Sequence, residues 1–311
     1  MKSQRKVVGL KVESPAGTPA TLSAATDYLA AVDFKWDAAA KPVTDTMEYA
    51  SGGYGSRDTF MVSLTREASF ALPVVGGGTP LGTNYAAAWL ALMRCCGHAA
   101  TVNASTNVIF NPVSTGEEAA TLEANEDGYE RLMTYVRGNL KWVFEEGKVG
   151  RMMATLMGLY STPSDQTAPT PTLPTVQKPV GFSKANTVVT LGAFTPKVSR
   201  IEIDGGRTHA YRNMAGAEDI VPQDCRPTLS LRMELPTVGA KNLYQQLEST
   251  AEEGLSIVHG VTAGNIWTFD ADRASLVDLT EQPDRGSIFV TARYELKPTS
   301  AGNDHYTITL T

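Results

Sequence analysis

Apolar and polar positions alternate with period two in two matching stretches of the chain. Across Met61–Leu72, Val62, Leu64, Ala68, Phe70 and Leu72 fall on one face, with Arg66 as the exception. Ser63, Thr65, Glu67, Ser69 and Ala71 fall on the other. This is the pattern of a half-buried strand, and Pro73 ends it. In the second stretch Leu229, Leu231, Met233 and Leu235 alternate with Thr228, Ser230, Arg232 and Glu234, and Pro236 ends it. Leu72-Pro73 therefore matches Leu235-Pro236.

A helix signal follows each strand. Thr83 or Asn84 caps the first. Tyr85, Ala88, Trp89, Leu92, Met93 and Cys96 then form one apolar stripe at helical spacing, and Gly97 closes it. The second helix is shorter, with Leu243, Leu247 and Ala251 on one face and Gly254 as its stop. Each half then ends in a two-strand pattern. Leu140, Trp142 and Phe144 alternate with Lys141 and Glu145, Glu146-Gly147-Lys148 turns, and Val149–Tyr160 returns. In the second half Ser275–Thr280 leads to a turn at Gln282–Gly286, and Ser287–Leu296 returns. The separation between matched points shrinks from 163 residues at the first strand to 136 at the last, as loops of different length would produce.

Between the halves, Ser161–Pro179 holds five prolines among Thr, Ser and Gln and reads as a semi-rigid linker. The expected organisation is therefore two tandem domains of one kind, 1–160 and 180–311, joined by a linker at 161–179.

Composition narrows the function classes. Hydrophobic residues make up 42% of the 311, enough for real cores, and charged residues only 19%, which argues against a disordered chain. Net charge is −6, and neither half is basic, with −2 up to Tyr160 and −4 beyond it. A tight phosphate-binding surface is not expected. Cys95, Cys96 and Cys225 lack paired spacing, so no disulfide framework is expected and a reducing compartment fits. The basic residues of Met1–Val12 precede no long apolar run, so neither a signal peptide nor membrane insertion is expected.

No catalytic or metal pattern emerges. His98, His209, His259 and His305 have no ligand spacing among themselves or with cysteine. Cys96 lies on the apolar stripe and Cys95 faces away from it. Gly52–Gly55 and Gly76–Gly78 lack the Lys-Ser/Thr of a phosphate loop. The pairs Glu117-Glu118, Glu145-Glu146 and Glu252-Glu253 place adjacent carboxylates on opposite faces. The chain is not expected to be an enzyme, and no cofactor is expected.

One resemblance adds to this reading. Lys11-Val12-Glu13-Ser14-Pro15-Ala16-Gly17-Thr18-Pro19, followed by Asp27-Tyr28-Leu29-Ala30, resembles the start of the tail tube proteins of long-tailed (siphovirus-type) bacteriophages. The Ser/Thr-alternating strand ending in proline, the flanking helix and the last hairpin with Met152–Gly158 are similar too. The resemblance covers residues 5–160 directly, and the second half joins through its likeness to the first. It implies a mainly β chain with flanking helices: two tandem tail-tube-like β-sandwich domains contributing sheets to an intermolecular β-barrel. It implies a virion structural protein whose rings stack into a tube around a tape measure protein, the conduit for genome ejection. Tail terminator and distal tail or baseplate proteins would be further partners, with assembly in the bacterial host cytoplasm and transient, non-specific passage of double-stranded DNA. Two domains per chain imply three chains in a pseudo-sixfold ring. The expected lumen residues are Ser63, Thr65, Glu67, Ser69, Thr228, Ser230, Arg232 and Glu234, with Leu64, Phe70, Leu231 and Met233 packed under the helices. Ala38–Arg57, Asp204–Gln223 and the arm Met1–Val12 are candidates for ring stacking. A β-sandwich adhesin or carbohydrate-binding module, with Trp36, Trp142 or Trp267 stacking on sugar, stays open, as does another virion component such as a tail terminator or minor capsid protein.

Overall fold

A computed structural model describes residues 6–36, 41–47, 58–78, 87–103, 105–173 and 177–311. The fold is mainly β, with two short helices among these residues. The first half runs β1 (Lys6–Val12), β2 (Tyr28–Leu29), β3 (Val32–Trp36), β4 (Lys41–Met47), β5 (Asp58–Pro73), α1 (Ala87–Cys95), β6 (His98–Asn103), β7 (Asn107–Pro112), β8 (Ala120–Glu126), β9 (Tyr129–Glu145) and β10 (Arg151–Tyr160). The rest runs β11 (Ser164–Asp165), β12 (Thr187–Leu191), β13 (Val198–Asp204), β14 (Arg207–Met214), β15 (Ala217–Cys225), β16 (Thr228–Glu234), α2 (Leu243–Ser249), β17 (Glu252–His259), β18 (Trp267–Asp284), β19 (Ser287–Leu296) and β20 (Thr307–Leu310).

Both period-two stretches are strands, and both halves pair their strands in one antiparallel order. In the first, β5 pairs with β10, β10 with β9, β9 with β8, and β8 with β1. In the second, β16 pairs with β19, β19 with β18, β18 with β17, and β17 with β12. The far side of β5 takes β3 and β4, and the far side of β16 takes β13. The long strands β9 and β18 each belong to two layers: the start pairs with β8 or β17, and the remainder pairs with β10 or β19.

The sequence pattern explains the burial. In β10, Met152, Ala154, Leu156 and Gly158 point inward while Arg151, Met153 and Thr155 are exposed. Leu229, Leu231 and Met233 of β16 are fully buried. The stripe of α1 is buried at Trp89, Leu92, Met93 and Cys96. Cys95 is buried as well, contrary to the stripe argument, because the helix end is covered on both sides; its thiol donates to the Leu92 carbonyl. The proposed caps Thr83 and Asn84, with Tyr85, lie outside the described residues, as do Gly52–Gly55. Helix α2 is capped by Asn242, whose side chain accepts from the Gln245 N–H at 3.0 Å. It ends at a left-handed Thr250 rather than at Gly254, which lies inside β17. The turn expected over Gln282–Gly286 is only Arg285-Gly286, both at positive φ, so β18 continues through Pro283.

Two of the candidate stacking segments are regular structure. Lys6–Val12 is a strand between β2 and β8 rather than a free arm. Most of Asp204–Gln223 is the antiparallel pair β14–β15. Ala38–Arg57 contains β4, and its other residues lie outside those described. The proline-rich segment holds no helix among its described residues. It follows the body, with β11 on β9 and the Thr172 N–H donating to Ala24 O at 2.8 Å. No helix among the described residues is long and apolar enough to cross a membrane.

Candidate assembly interface

The seam between the halves is a sheet pairing. Residues 141–145 of β9 lie antiparallel to residues 200–204 of β13, with Ile201 opposite Phe144 and Ile203 opposite Trp142. All four of these apolar side chains are fully buried. On the other face Lys141 pairs with Glu202, and Arg200 pairs with Glu145 at 3.5 Å. Behind the seam the core is continuous. Phe144 meets Trp267 at 5.2 Å between ring centroids, and Trp142 meets Tyr306 at 6.3 Å. A second pairing joins β7 to β20.

Arg207 fixes this joint. It sits in the fork where β9 leaves β8 and takes up β13. Its guanidinium binds the Glu117 carboxylate and donates to the carbonyls of Gly97, at 2.7 Å, and Val113. Both side chains of the ion pair are nearly inaccessible, at 3% and 8% exposure. Two glycines admit it. Gly206 has φ +64 and a Cβ there would lie 1.9 Å from the Arg226 carbonyl oxygen. A Cβ on Gly97, also at positive φ, would lie 2.4 Å from the Arg207 guanidinium carbon. His98 adds a second cross-link. Its Nδ1 faces the Met93 carbonyl at 3.2 Å, so Nδ1 carries the proton, and Nε2 accepts from the Tyr306 hydroxyl at 2.7 Å. Burial, with Arg207 nearby, pushes its pKa down to about 4.

The seam leaves one continuous sheet crossing the chain: β3 and β4, then β5, β10, β9, β13, β16, β19 and β18. Among the described residues both of its ends are open. β3 pairs only with β5. From residue 277 onward β18 pairs only with β19. These ends correspond to the two strands joined at the seam. β3 flanks β5 as β13 flanks β16, and the end of β18 flanks β19 as the end of β9 flanks β10.

One face of this sheet packs on the core. Phe70, Leu231 and Met233 are buried on it, and Leu64, nearer the strand's open end, is only partly buried. The helices expected above them pack instead mainly on β1 and β6 (α1) and on β18 (α2). The expected lumen residues lie on the opposite face. Ser63, Glu67, Ser69, Thr228, Ser230, Arg232 and Glu234 are partly accessible. Thr65 is buried, at 7% exposure, because β14–β15 crosses this end of the sheet and brings Tyr211 beside Ser63. In the lone chain Thr65 is therefore not a wall residue. The face is charged but compensated. Arg200 contacts Glu202 at 2.8 Å, Arg232 contacts Asp284 at 2.8 Å, and Lys197 contacts Glu234 at 2.6 Å. Each of these cations is thus paired with a carboxylate of the same face.

The other candidates are structural in their surroundings. Arg66, the exception in the first strand, is buried and stacks on Tyr160 at 4.6 Å and Trp36 at 5.3 Å. Trp142 and Trp267 are core residues, which removes two of the three rings considered for sugar stacking. Glu117 and Glu118 point to different arginines, Arg207 and Arg94. No group of His, Cys, Asp and Glu among the described residues could hold a metal ion. Sequence reasoning missed Arg207 and the seam, and it showed Glu117 only as half of an adjacent acid pair, not as the buried partner of Arg207. The inward alternation of Ile201 and Ile203 was the one available signal.

No protein-family profile matches the chain, and no curated protein matches it.

Proposed function

We propose that the chain is the subunit of a tail tube of a long-tailed bacteriophage, assembling as three chains per pseudo-sixfold ring. One observation carries the reading: the sheet ends in two open edges that correspond to the two edges already joined inside the chain. Exposed edges favour pairing with another chain, and closure removes them. Repeating the internal seam between copies extends the sheet head to tail, and a head-to-tail contact closes into a ring when its rotation allows. Three chains then bring about 24 strands, which at ~4.8 Å spacing and ~40° tilt enclose a barrel roughly 50 Å across between backbones. That leaves a channel wide enough for a tape measure protein and then for duplex DNA. The compensated, hydroxyl-bearing face lines it and releases few counterions to passing phosphates. The tail terminator and the distal tail or baseplate proteins cap the two ends of the tube, and the protein's place is the virion tail.

Negative-stain microscopy of concentrated protein, with analytical ultracentrifugation, tests this. Rings or tubes with three chains per ring are expected. A monomer that stays monodisperse at millimolar concentration, also with virion components added, overturns it.

A further inference from the structure

The two halves differ at one corner of the continuous sheet. In the first half this corner is covered by the ribbon β14–β15. Arg137, at 8% exposure, lies beneath it, with His209 and Asp219 near its guanidinium. A cleft between them is lined by Glu67, Asn139 and Met157 on the sheet side and His209 on the ribbon side. The pairing register identifies the matching corner of the second half. Arg137 lies opposite Met157, and Asp278 lies opposite Arg293. Thr65 lies opposite Leu159, and Thr228 lies opposite Glu295. Yet Asp278, Thr280, Arg293 and Glu295 are all exposed. The same corner is covered in one half and bare in the other.

The chain also carries a second ribbon, which touches β14–β15 at its base, where Tyr211 meets Ser63, and whose outer part covers nothing among the described residues. β4 pairs with the first part of β5 just as β14 pairs with β15. Both ribbons leave one extra residue in their second strand: Gln223 at the Thr208–His209 step, and Val62 at the Val43–Thr44 step. A bulge of this kind bends and twists a ribbon locally. It lies near the base of each ribbon, in β5 three residues before Thr65 and in β15 five residues before Thr228. Aligned on the bulge, Thr44 corresponds to His209. The free ribbon exposes three consecutive apolar side chains, Phe60 at 47%, Met61 at 62% and Val62 at 57%. Such a run on a strand pair marks a surface awaiting a partner.

We infer that the β4–β5 ribbon of one copy lies across the bare corner of the next copy, over Thr228, Asp278, Thr280, Arg293 and Glu295, as β14–β15 lies over the first-half corner within the chain. The inference rests on the ring reading: the β3 edge that would join the next copy's β18 leads directly into this ribbon, as β13 leads into β14–β15. The occupant is a second copy of this chain, because only another copy presents the matching ribbon on the strand that follows the matching edge. Each ring contact then has two parts, a strand edge and a clasp.

The test is a cysteine pair, Thr44→Cys with Asp278→Cys, in a Cys225→Ser background, oxidised after assembly. Both positions are exposed in the single chain. Non-reducing electrophoresis should show covalently linked chains up to a closed set for the double variant, and monomers for each single variant. A companion variant, Met61→Glu, should leave the monomer's melting temperature unchanged and raise the concentration needed for assembly at least tenfold. Rings that form normally but do not cross-link, or a Thr44→Cys variant that cross-links to itself alone, overturn the clasp and leave the ring reading standing. Assembly of Met61→Glu at the wild-type concentration overturns it too. Absence of any assembly by the unmodified protein overturns the ring reading and the clasp with it.

Discussion

Replacing Arg207 with Met removes the charge that holds the two halves together while keeping most of the side chain's volume. Among the described residues the Glu117 carboxylate, 8% exposed, would then keep only Arg137, at 3.9 Å, as a cationic partner. The carbonyls of Gly97 and Val113 would lose their shared donor. Breaking a buried ion pair by removing one partner costs about 3–5 kcal/mol, because the other charge is left uncompensated. Unfolding entropy of ~2.1 cal/mol/K per residue amounts to roughly 0.65 kcal/mol/K for a chain of this length. A loss of ~4 kcal/mol therefore lowers the melting temperature by about 6 °C. Calorimetry measures the shift, and urea titration followed by tryptophan fluorescence reports the joint through Trp142, which lies against Tyr306. Arg207→Met combined with Glu117→Leu should be more stable than the sum of the single losses by at least ~1.5 kcal/mol, since neither charge is then left alone. A single-variant loss below ~1 kcal/mol, or strictly additive losses, would refute the claim that this ion pair clamps the seam.

Acid should weaken the same joint. His98 is neutral in the fold at a pKa of about 4, so the unfolded chain binds more protons between its ordinary ~6.5 and that value, and stability falls as pH drops through this window. His98 alone accounts for on the order of 2–3 kcal/mol of that loss, and His209, also held near 4 by burial beside Arg137, acts in the same direction. Melting temperatures of wild type and His98→Asn from pH 7 to 4 should show a shallower slope for the variant; equal slopes would remove His98 from the account. Glu281→Val places an apolar residue on the open part of β18 and should lower the concentration at which rings form in sedimentation velocity, while unchanged assembly would show that this edge takes no part. Glu202→Gln, Glu234→Gln and Asp284→Asn together free cations on the polar face. Tubes of that triple variant should retain duplex DNA with a salt slope steeper by about 0.9 per freed charge, whereas strong DNA retention by wild-type tubes would contradict a compensated wall.

What could be read from the sequence was what local periodicity encodes. Leu229, Leu231 and Met233 announce β16 because each faces the core at every second residue. Trp89, Leu92 and Met93 announce α1 because the helix packs one stripe. Long-range partners leave no such trace. Arg207 follows two glycines and looks like any surface arginine, and its burial depends on Glu117, 90 residues away. The ribbon β14–β15 carries no clean alternation because it lies on a polar surface rather than on the core. Arg66 breaks the first strand's pattern in the sequence, yet the fold buries it by stacking it on Tyr160 and Trp36. Pro283 suggested a turn because proline cannot serve a central strand. It is tolerated in β18 because that part of the strand is an edge.

The proline also bears on the proposed assembly. The closed seam and the open edges proposed to form a second one are equivalent in topology but not in chemistry. By pairing register, Leu140 and Trp142 of the closed seam correspond to Glu281 and Pro283 on the open edge, since Ala154 and Met152 match Val290 and Ile288. The closed seam buries its two positions in the core, while the open edge exposes both and adds Asp278 nearby. On the facing edge, β3 exposes Asp33 and Lys35. Charges and a proline on an edge are the ordinary protection against indiscriminate strand pairing. Such an edge pairs weakly by itself, so a stable contact in the proposed ring would need a second surface, and the exposed Phe60, Met61 and Val62 of the free ribbon are the surface proposed for it. Strong covalent and core linkage within the chain, with weak two-part linkage between copies, would make the two joined halves the folding unit and the proposed ring a product of concentration or of a nucleating partner.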